Sequence, residues 1–189
     1  MESLFIKLAK YPIIETERLV LRPVTLDDAE AMFEYASNKE NTRYTFPTNQ
    51  SLEETKNNIA QFYLANPLGR WGIELKSTGE FIGTIDLHKM DTVLKKAAIG
   101  YIIHQKYWNQ GLTTEANRAV IELAFEKIGM NKLTALHDKD NPASGKVMEK
   151  SGMRFSHEEP YARMDKNEPG RFVTDVHYVL TKEDYFANK

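Results

Sequence analysis

The most informative stretch of this sequence is GYIIHQKYWNQGLTTEA, residues 100–116. It passes from an apolar strand pattern at 97–104, through a polar loop, into a strongly periodic helix pattern at 113–128. Such a junction presents several backbone N–H groups at the positive end of a helix dipole, which favours an anion. Gly111 would let a phosphate approach the backbone closely, because glycine has no Cβ. An ordinary turn glycine before a capping threonine explains the same spacing, and a single glycine is weaker evidence than a complete phosphate-binding motif.

The rest of the chain alternates strand and helix patterns. Upstream, they predict a strand at 17–24, a helix after Thr25 with a capping box to Asp28, a helix after Ser51, and a hairpin at 71–76 and 81–90. Downstream, they predict a strand at 133–137, a helix opened by Asn141 and Pro142, and a strand at 172–180. The strand at 97–104 is apolar on both faces and is expected to be central. The fold class is therefore α/β or α+β with one mixed sheet.

The composition is that of an ordinary globular protein, with 189 residues of which 41% are hydrophobic and 28% charged. This length predicts a single domain over residues 1–189. The 25 basic and 27 acidic residues give a net charge of −2, which is not typical of a general nucleic-acid binder. The lack of cysteine excludes disulfides, thiolate metal sites and a cysteine nucleophile. No apolar run is long enough for a membrane span and no secretory signal is recognisable, so the expected location is cytoplasmic.

Four segments carry a family resemblance. The loop and helix start YWNQGLTTEA, residues 107–116, resembles motif A of the GNAT superfamily of acetyl-CoA-dependent N-acetyltransferases, in its RimJ/RimL-like branch. NPASGKVMEKSGM at 141–153, ETERLVLRPVTLDDAEAMF at 15–33 and Asp175 in TDVHYVL resemble further segments of that branch, in the expected order. The match covers about residues 13–180. It implies a single GNAT-like domain with a mixed central sheet, helices on both faces, and a splay between the two central parallel strands.

The resemblance also implies where CoA, the cosubstrate, is bound. The strands at 97–104 and 133–138 would separate, and the pantetheine arm would pair with backbone groups inside the gap. The pyrophosphate would lie against the loop, with Glu115 pointing away from it. The residues implied to contact acetyl-CoA are Ile102, Ile103, Asn109, Gln110, Gly111, Leu112, Thr113, Thr114, Asn141 and Ser144. For Asn141, a role as the helix N-cap before Pro142 is an open alternative.

The catalytic residues are less clearly indicated. Many family members use a tyrosine to protonate the departing thiolate, but Met148 occupies that place here and has no proton to donate. Ser144 is the expected donor instead, although a capping or packing role explains it equally well. Asp86 is the expected general base. The other choices for the base, each also explained as an ordinary edge or rim residue, are Glu74, His88 and His104.

The resemblance implies an N-acetyltransferase that moves acetyl to a primary amine by direct attack in a ternary complex. The amine could belong to a protein N-terminus, as in ribosomal-protein acetylation, or to a small molecule. A CoA-binding or sensing module without turnover is the alternative. No metal, nucleic acid or membrane is expected as a partner, and a homodimer stays open. The acceptor would lie opposite CoA, beside the polar loop expected at 158–172, with aromatic wall candidates that core packing would also explain: Tyr44, Phe46 and Trp71.

Overall fold

The structure is a computed structural model that describes residues 2–189, and its strands form one eight-stranded sheet. The strands are β1 (Ile14–Glu15), β2 (Leu19–Arg22), β3 (Arg70–Leu75), β4 (Phe81–Asp91), β5 (Lys96–Ile103), β6 (Lys132–Asp138), β7 (Arg154–Met164) and β8 (Phe172–Thr181). Their order is β1-β2-β3-β4-β5-β6-β8-β7. Among these neighbours β5 and β6 are parallel, and the other pairs are antiparallel. The predicted mixed sheet, with its apolar strand near the centre, is confirmed.

Seven α-helices lie in the described part of the chain. They are α1 (Leu4–Ala9), α2 (Ala29–Ala36), α3 (Lys39–Thr42), α4 (Leu52–Asn58), α5 (Leu112–Glu122), α6 (Pro142–Lys150) and α7 (Lys182–Ala187). A π-helical turn continues α4 over Ile59–Leu64 and another continues α5 over Leu123–Ile128. None of the helices within residues 2–189 is both long enough and apolar enough to span a membrane.

Two apolar clusters hold the helices on opposite faces of the sheet. The larger cluster packs α1 and α5 against β2–β6, and its α5 stripe includes Ala116, Val120 and Ala124, none of which is exposed. The smaller cluster packs α2 and the end of α4 against Phe81, with Ile102 at its margin. Helices on both faces are therefore confirmed, and the period of about 3.6 residues in α5 is explained by its one buried stripe.

The parallel pair β5–β6 is joined over only part of its length. Lys96, Ala97 and Ala98 pair with residues 132–134, and no further pairs follow within the described strands. Residues 99–103 of β5 and residues 135–138 of β6 therefore form no backbone pairs with each other. This divergence is the predicted splay, and it opens on the side where β5 leads into the loop at 104–111.

The main departure from the sequence prediction lies near the C-terminus. The segment 158–172, expected as a polar loop, is mostly strand, because β7 runs to Met164 and pairs with β8. Only residues 165–171 form a loop, which we call the strap. Nearly every residue of the edge strand β7 is exposed, polar and apolar alike, so it lacks the apolar alternation from which strands are predicted.

Candidate functional site

The loop between β5 and α5 has the backbone of an anion cradle. Asn109 has φ +59° and Gly111 has φ +76°, so two left-handed residues flank Gln110. The first hydrogen bond of α5 runs from the Glu115 N–H to the Gly111 carbonyl at 3.0 Å, so the N–H groups of the residues between them have no helix acceptor. A cleft of about 850 Å³ lies beside Gly111 and the outer face of α5. Its lining includes Glu15, Glu17 and Glu115 and no residue of the β5–β6 gap, so this cleft is separate from the anion cradle.

Arg18, which directly precedes β2, contacts this loop and was not predicted from the sequence. Its Nη1 donates to the Gln110 carbonyl at 3.0 Å, and its Nε donates to the Glu115 carboxylate at 2.7 Å. Burial opposes ionisation of Glu115, but hydrogen bonds from Thr16 and Arg18 outweigh it and hold its pKa below the usual range. Glu115 is thus held by Thr16 and Arg18 in the cleft that Gly111 also lines. No local signal linked Arg18 to a loop more than 90 residues away.

The end of β5 corrects the expectation for Ile102. The His104 N–H donates to Ile82 on β4 at 2.8 Å, so alternation turns the backbone of Ile102 toward β4 as well. A Cβ added to Gly83 on β4 would lie only 2.2 Å from the Ile102 carbonyl oxygen, so this oxygen is packed against β4. The backbones of Tyr101 and Ile103 face the gap instead. The Ile103 carbonyl already accepts hydrogen bonds from two side chains, Asn41 Nδ2 at 3.1 Å and Trp108 Nε1 at 3.0 Å.

Across the gap, α6 brings its first turn against Tyr101. The Ser144 hydroxyl lies 3.3 Å from the Tyr101 oxygen, which in turn donates to the Ser144 carbonyl at 3.0 Å. Asn141 precedes α6 without a capping hydrogen bond from its side chain, so the N-cap alternative lacks its usual contact. Met148 is buried in the main core. Tyr101 is therefore a phenol near the gap that motif comparison, which looked for it on α6, did not find.

Asp86 and His88 lie together on the opposite face of the sheet. Asp86 Oδ1 is 2.9 Å from His88 Nδ1, and both side chains are about one-third exposed, at 29% and 35%. The register pairs Asp86 with Gly100 of β5, and a Cβ on Gly100 would come within 3.1 Å of the Asp86 carboxylate. Gly100 therefore leaves space for this pair on the α2 and α4 side. Their alternation on one strand predicts that the two side chains share a face, and the structure adds the hydrogen bond between them.

The other two base candidates are held by other contacts. Glu74 accepts a hydrogen bond from Arg22 Nε at 2.6 Å, and Arg22 also binds Asp28 with both guanidinium ends. Hydrogen bonding to Asp28 outweighs burial and, with Glu74, raises the pKa of Arg22 above its usual value. The His104 ring accepts from the Lys106 N–H at 3.0 Å and so caps the short turn after β5. The contact with Arg22 gives Glu74 a structural role, and the contact with the Lys106 N–H gives His104 one.

The acceptor wall differs from the sequence prediction in one member. Trp71 is 2% exposed within the main core and donates to the Tyr11 carbonyl at 3.3 Å, so it cannot line an acceptor site. Phe46 packs at the edge of the smaller cluster, and Tyr44 carries the Arg43 guanidinium 5.2 Å above its ring. Core packing, the alternative explanation, is correct for Trp71.

The strap crosses the open end of the β5–β6 pair. Asn167 Nδ2 donates to the carbonyls of Thr42 and Phe46 at 3.1 and 3.0 Å, beside the end of β5. At its other end, Arg171 binds the buried Asp138 carboxylate with both guanidinium nitrogens, at 2.9 and 3.1 Å, where β6 ends. Because Asp138 shares a sheet face with Asp86 through the register, the strap lies on the side of the Asp86–His88 pair.

Among residues 2–189, one buried polar side chain forms no hydrogen bond. Asn117 on α5 is fully buried, and neither its amide nitrogen nor its oxygen forms a hydrogen bond. It lies one helical turn after Thr113, on the stripe that leads to the loop at Gly111. An unpaired buried amide is costly, so such a group commonly marks the position of a bound water or ligand. The gap and the left-handed loop together fit a long ligand with a phosphate group.

Comparison with known proteins gives a consistent family. The acetyltransferase (GNAT) domain model matches residues 18–154. YoaA of Bacillus subtilis (strain 168), named as an uncharacterized N-acetyltransferase, is 38% identical over 148 residues, which cover 76% of this chain and 84% of YoaA. YdaF of the same organism, provisionally named as a ribosomal N-acetyltransferase, is 34% identical over 120 residues, covering 62% of this chain and 64% of YdaF.

A solved structure agrees with the sequence relatives. The acetyltransferase (GNAT family) from Bacillus anthracis matches with a TM-score of 0.80 and 27% identity, covering 90% of this chain and 99% of that protein. The family model spans the chain from β2 to α6, including the splayed pair and the loop. The chain therefore belongs to the GNAT family of acetyltransferases, enzymes that take the acetyl group from acetyl-CoA.

Proposed function

We propose that acetyl-CoA lies in the β5–β6 gap with its pyrophosphate on the 109–114 loop. One observation carries this proposal. Backbone pairing between β5 and β6 ends after Ala98 and Thr134, and the unpaired end of β5 leads into a loop with two left-handed residues. Unpaired backbone in the gap accepts an extended amide-bearing chain as a sheet accepts a strand. Asn141, whose side chain makes no capping bond, supplies a further polar group along this path.

Acetyl-CoA, when bound, supplies an acyl thioester that an amine can attack. The chain's own task is to deliver that amine in its neutral form. Asp86 takes up the proton from the incoming ammonium, directly or through one water, while His88 holds the carboxylate from the side. Gly100 leaves this carboxylate accessible from the gap. Much of the acceleration then comes from holding amine and thioester in contact, which requires no further chemistry from the protein.

The leaving thiolate needs a proton, and we assign its source to the Ser144–Tyr101 pair. Burial raises the pKa of the Tyr101 phenol, against the opposing effect of its hydrogen bond with Ser144. The phenol is therefore fully protonated at neutral pH and acts as a hydrogen-bond donor. Because Ser144 Oγ and Tyr101 OH lie 3.3 Å apart, either hydroxyl can pass a proton to the other. Tyr101 thus presents a phenol from β5, next to Ser144 at the gap, whereas Met148 occupies the α6 position at which many family members have their tyrosine.

The proposed acceptor is the α-amino group of a protein N-terminus. The ribosomal N-acetyltransferase name of YdaF supports it. A small amine is the competing acceptor, and a CoA sensor without turnover is the competing function. The proposal includes a single domain over residues 1–189 and a cytoplasmic location.

The test is a thiol-release assay with acetyl-CoA and a matched set of amines. The set contains short peptides with free N-termini, the same peptides with blocked N-termini, and polyamines or amino acids. We expect thiol release and a 42-Da mass increase only with the free N-termini. Turnover with small amines alone would replace the protein acceptor by a small one. Tight CoA binding without thiol release from any amine would favour the sensor.

A further inference from the structure

A cluster of metal-ligand side chains lies on the β7–β8 ribbon, away from the proposed acetyl-transfer site. His157 and His177 are direct register partners on these antiparallel strands, and Glu159 is two residues farther along β7. Residues on alternate positions of a strand share a face, so all three side chains project from one side of the sheet. Each offers one ligand atom, and these atoms all lie within 4.8 Å of one another.

The two imidazoles are already arranged as a pair. Their ring centroids are 4.3 Å apart and their planes differ by 6°. The Glu159 carboxylate lies 3.1 Å from His177 Nε2, and the Ser156 hydroxyl lies 3.0 Å from His157 Nδ1. If His157 Nδ1–H donates to Ser156, its Nε2 lone pair is free for a metal, which is the usual way a second group orients a histidine ligand.

The separation of the ligand atoms is close to that required for zinc. With bonds of about 2.0–2.1 Å, ligand atoms around tetrahedral Zn²⁺ lie roughly 3.3 Å apart. A spread of at most 4.8 Å closes by side-chain rotations that unstack the two imidazoles and turn their ring nitrogens toward one ion, without moving the strands. The neighbouring Asp175 does not compete, since its carboxylate is bound by Arg163 at 3.1 Å. The sheet provides the rigid element that such a site needs.

We propose that His157, His177 and Glu159 bind one divalent transition-metal ion, with Zn²⁺ as the defining probe. Two imidazoles and one carboxylate form an N/O donor set that suits Zn²⁺, and three protein ligands leave at least one position for water. The site is distinct from the Asp86–His88 pair. The two share a sheet face, but β5 and β6 lie between their strands.

The experiment titrates Zn²⁺ into the untagged full chain against a chromophoric chelator and follows Co²⁺ absorption in parallel. We expect one ion per chain with micromolar affinity, and tetrahedral Co²⁺ bands in the visible range. Glu159→Gln and His177→Gln should each weaken Zn²⁺ binding at least 10-fold. The matched control is Glu158→Gln, because Glu158 is the adjacent residue, faces the other side and binds Lys139 at 2.8 Å. It should bind Zn²⁺ as the wild type does.

Two results would overturn the proposal. The first is no stoichiometric Zn²⁺ binding by the wild-type chain at concentrations up to 100 times that expected for a micromolar site. The second is equal loss of binding in Glu158→Gln and Glu159→Gln, which would indicate diffuse surface binding. Circular dichroism of each variant checks the fold; Glu158 and Glu159 are exposed and His177 is partly exposed, so no variant should unfold the sheet. The outcome is independent of acetyl transfer.

Discussion

The paired and open ends of β5–β6 use the same two strands in different ways. At 96–98 and 132–134 the strands satisfy each other, and the Thr134 hydroxyl adds a contact to the Ala97 carbonyl at 3.4 Å. At the open end, side chains from elsewhere replace the neighbouring strand, as Asn41 and Trp108 do at Ile103. One end therefore contributes to the fold, and the other end retains backbone groups for a ligand. The predictions below separate these two contributions.

Gly111→Val should have the largest effect, and it acts on the open end alone. The backbone at φ +76° disfavours a β-branched residue, and the added side chain would occupy the phosphate approach. We expect CoA affinity to fall about 100-fold or more, which corresponds to roughly 2.7 kcal/mol. Isothermal titration calorimetry measures it.

The control for this change is Gly79→Val. Gly79 has φ +72° in the β3–β4 turn, and a Cβ there meets nothing within 4 Å. It carries the same backbone strain far from the loop, so it should lower the free energy of unfolding while CoA affinity stays unchanged. Similar CoA affinity in both variants would remove the loop from the site.

Asp86→Asn should have the second largest effect, on turnover but not on cofactor binding. The amide keeps the shape and the contact with His88 but cannot take up the ammonium proton. We expect kcat to fall about 100-fold, with CoA affinity within a factor of two. Asp91→Asn at the far end of β4 is the control, since that carboxylate binds the N–H groups of Val93 and Leu94. If both variants retain wild-type kcat, proton removal occurs elsewhere.

Tyr101→Phe and Ser144→Ala should each lower kcat by a smaller factor, about 10-fold, because a CoA thiolate is a tolerable leaving group. The two hydroxyls are in contact, so the double variant should lose less than the product of the single losses. Stopped-flow thiol release with a good peptide acceptor gives all three rates. Independent, multiplicative losses would show that the hydroxyls do not act as a pair.

Asn117→Leu should have the smallest effect. We expect it to stabilise the ligand-free chain against unfolding and to weaken the CoA-bound state. Removing an unpaired buried amide should raise the free energy of unfolding of the ligand-free chain by about 1 kcal/mol. CoA affinity should fall if the ligand reaches this amide. Urea unfolding with and without CoA measures both quantities. Asn57→Leu, at an exposed position of α4, should change neither.

Local patterns in the sequence predicted most of the fold. The stripe in α5 and the capping box, in which the Thr25 N–H donates to Asp28 at 2.8 Å, depend on residues close in sequence. The β7 edge strand was missed because its exposed residues carry no apolar alternation. The helices α1 and α7, six residues each, were missed because so short a periodic segment gives little signal.

The site was predicted less completely than the fold. The position of the loop around Gly111 between a strand and a helix was predicted because both patterns lie in one segment, while its contact with acetyl-CoA stays a prediction. Arg18, Tyr101 and Asn167 were missed because their partners are 43 to 125 residues away along the chain. Such contacts depend on tertiary packing, which no local spacing encodes. Ile102 was misassigned for a smaller reason, since strand alternation fixes which backbone groups face the gap.

The short join between the two halves of the sheet also bears on how long the protein survives. Acetyl-CoA bound in the gap would contact both halves of the sheet, so the chain would have to release it in order to unfold. A ligand present at 100 times its dissociation constant adds about 2.7 kcal/mol to the unfolding free energy. Resistance to heat and to proteases is then expected to follow the acetyl-CoA supply, so that the protein is degraded faster when its donor is scarce.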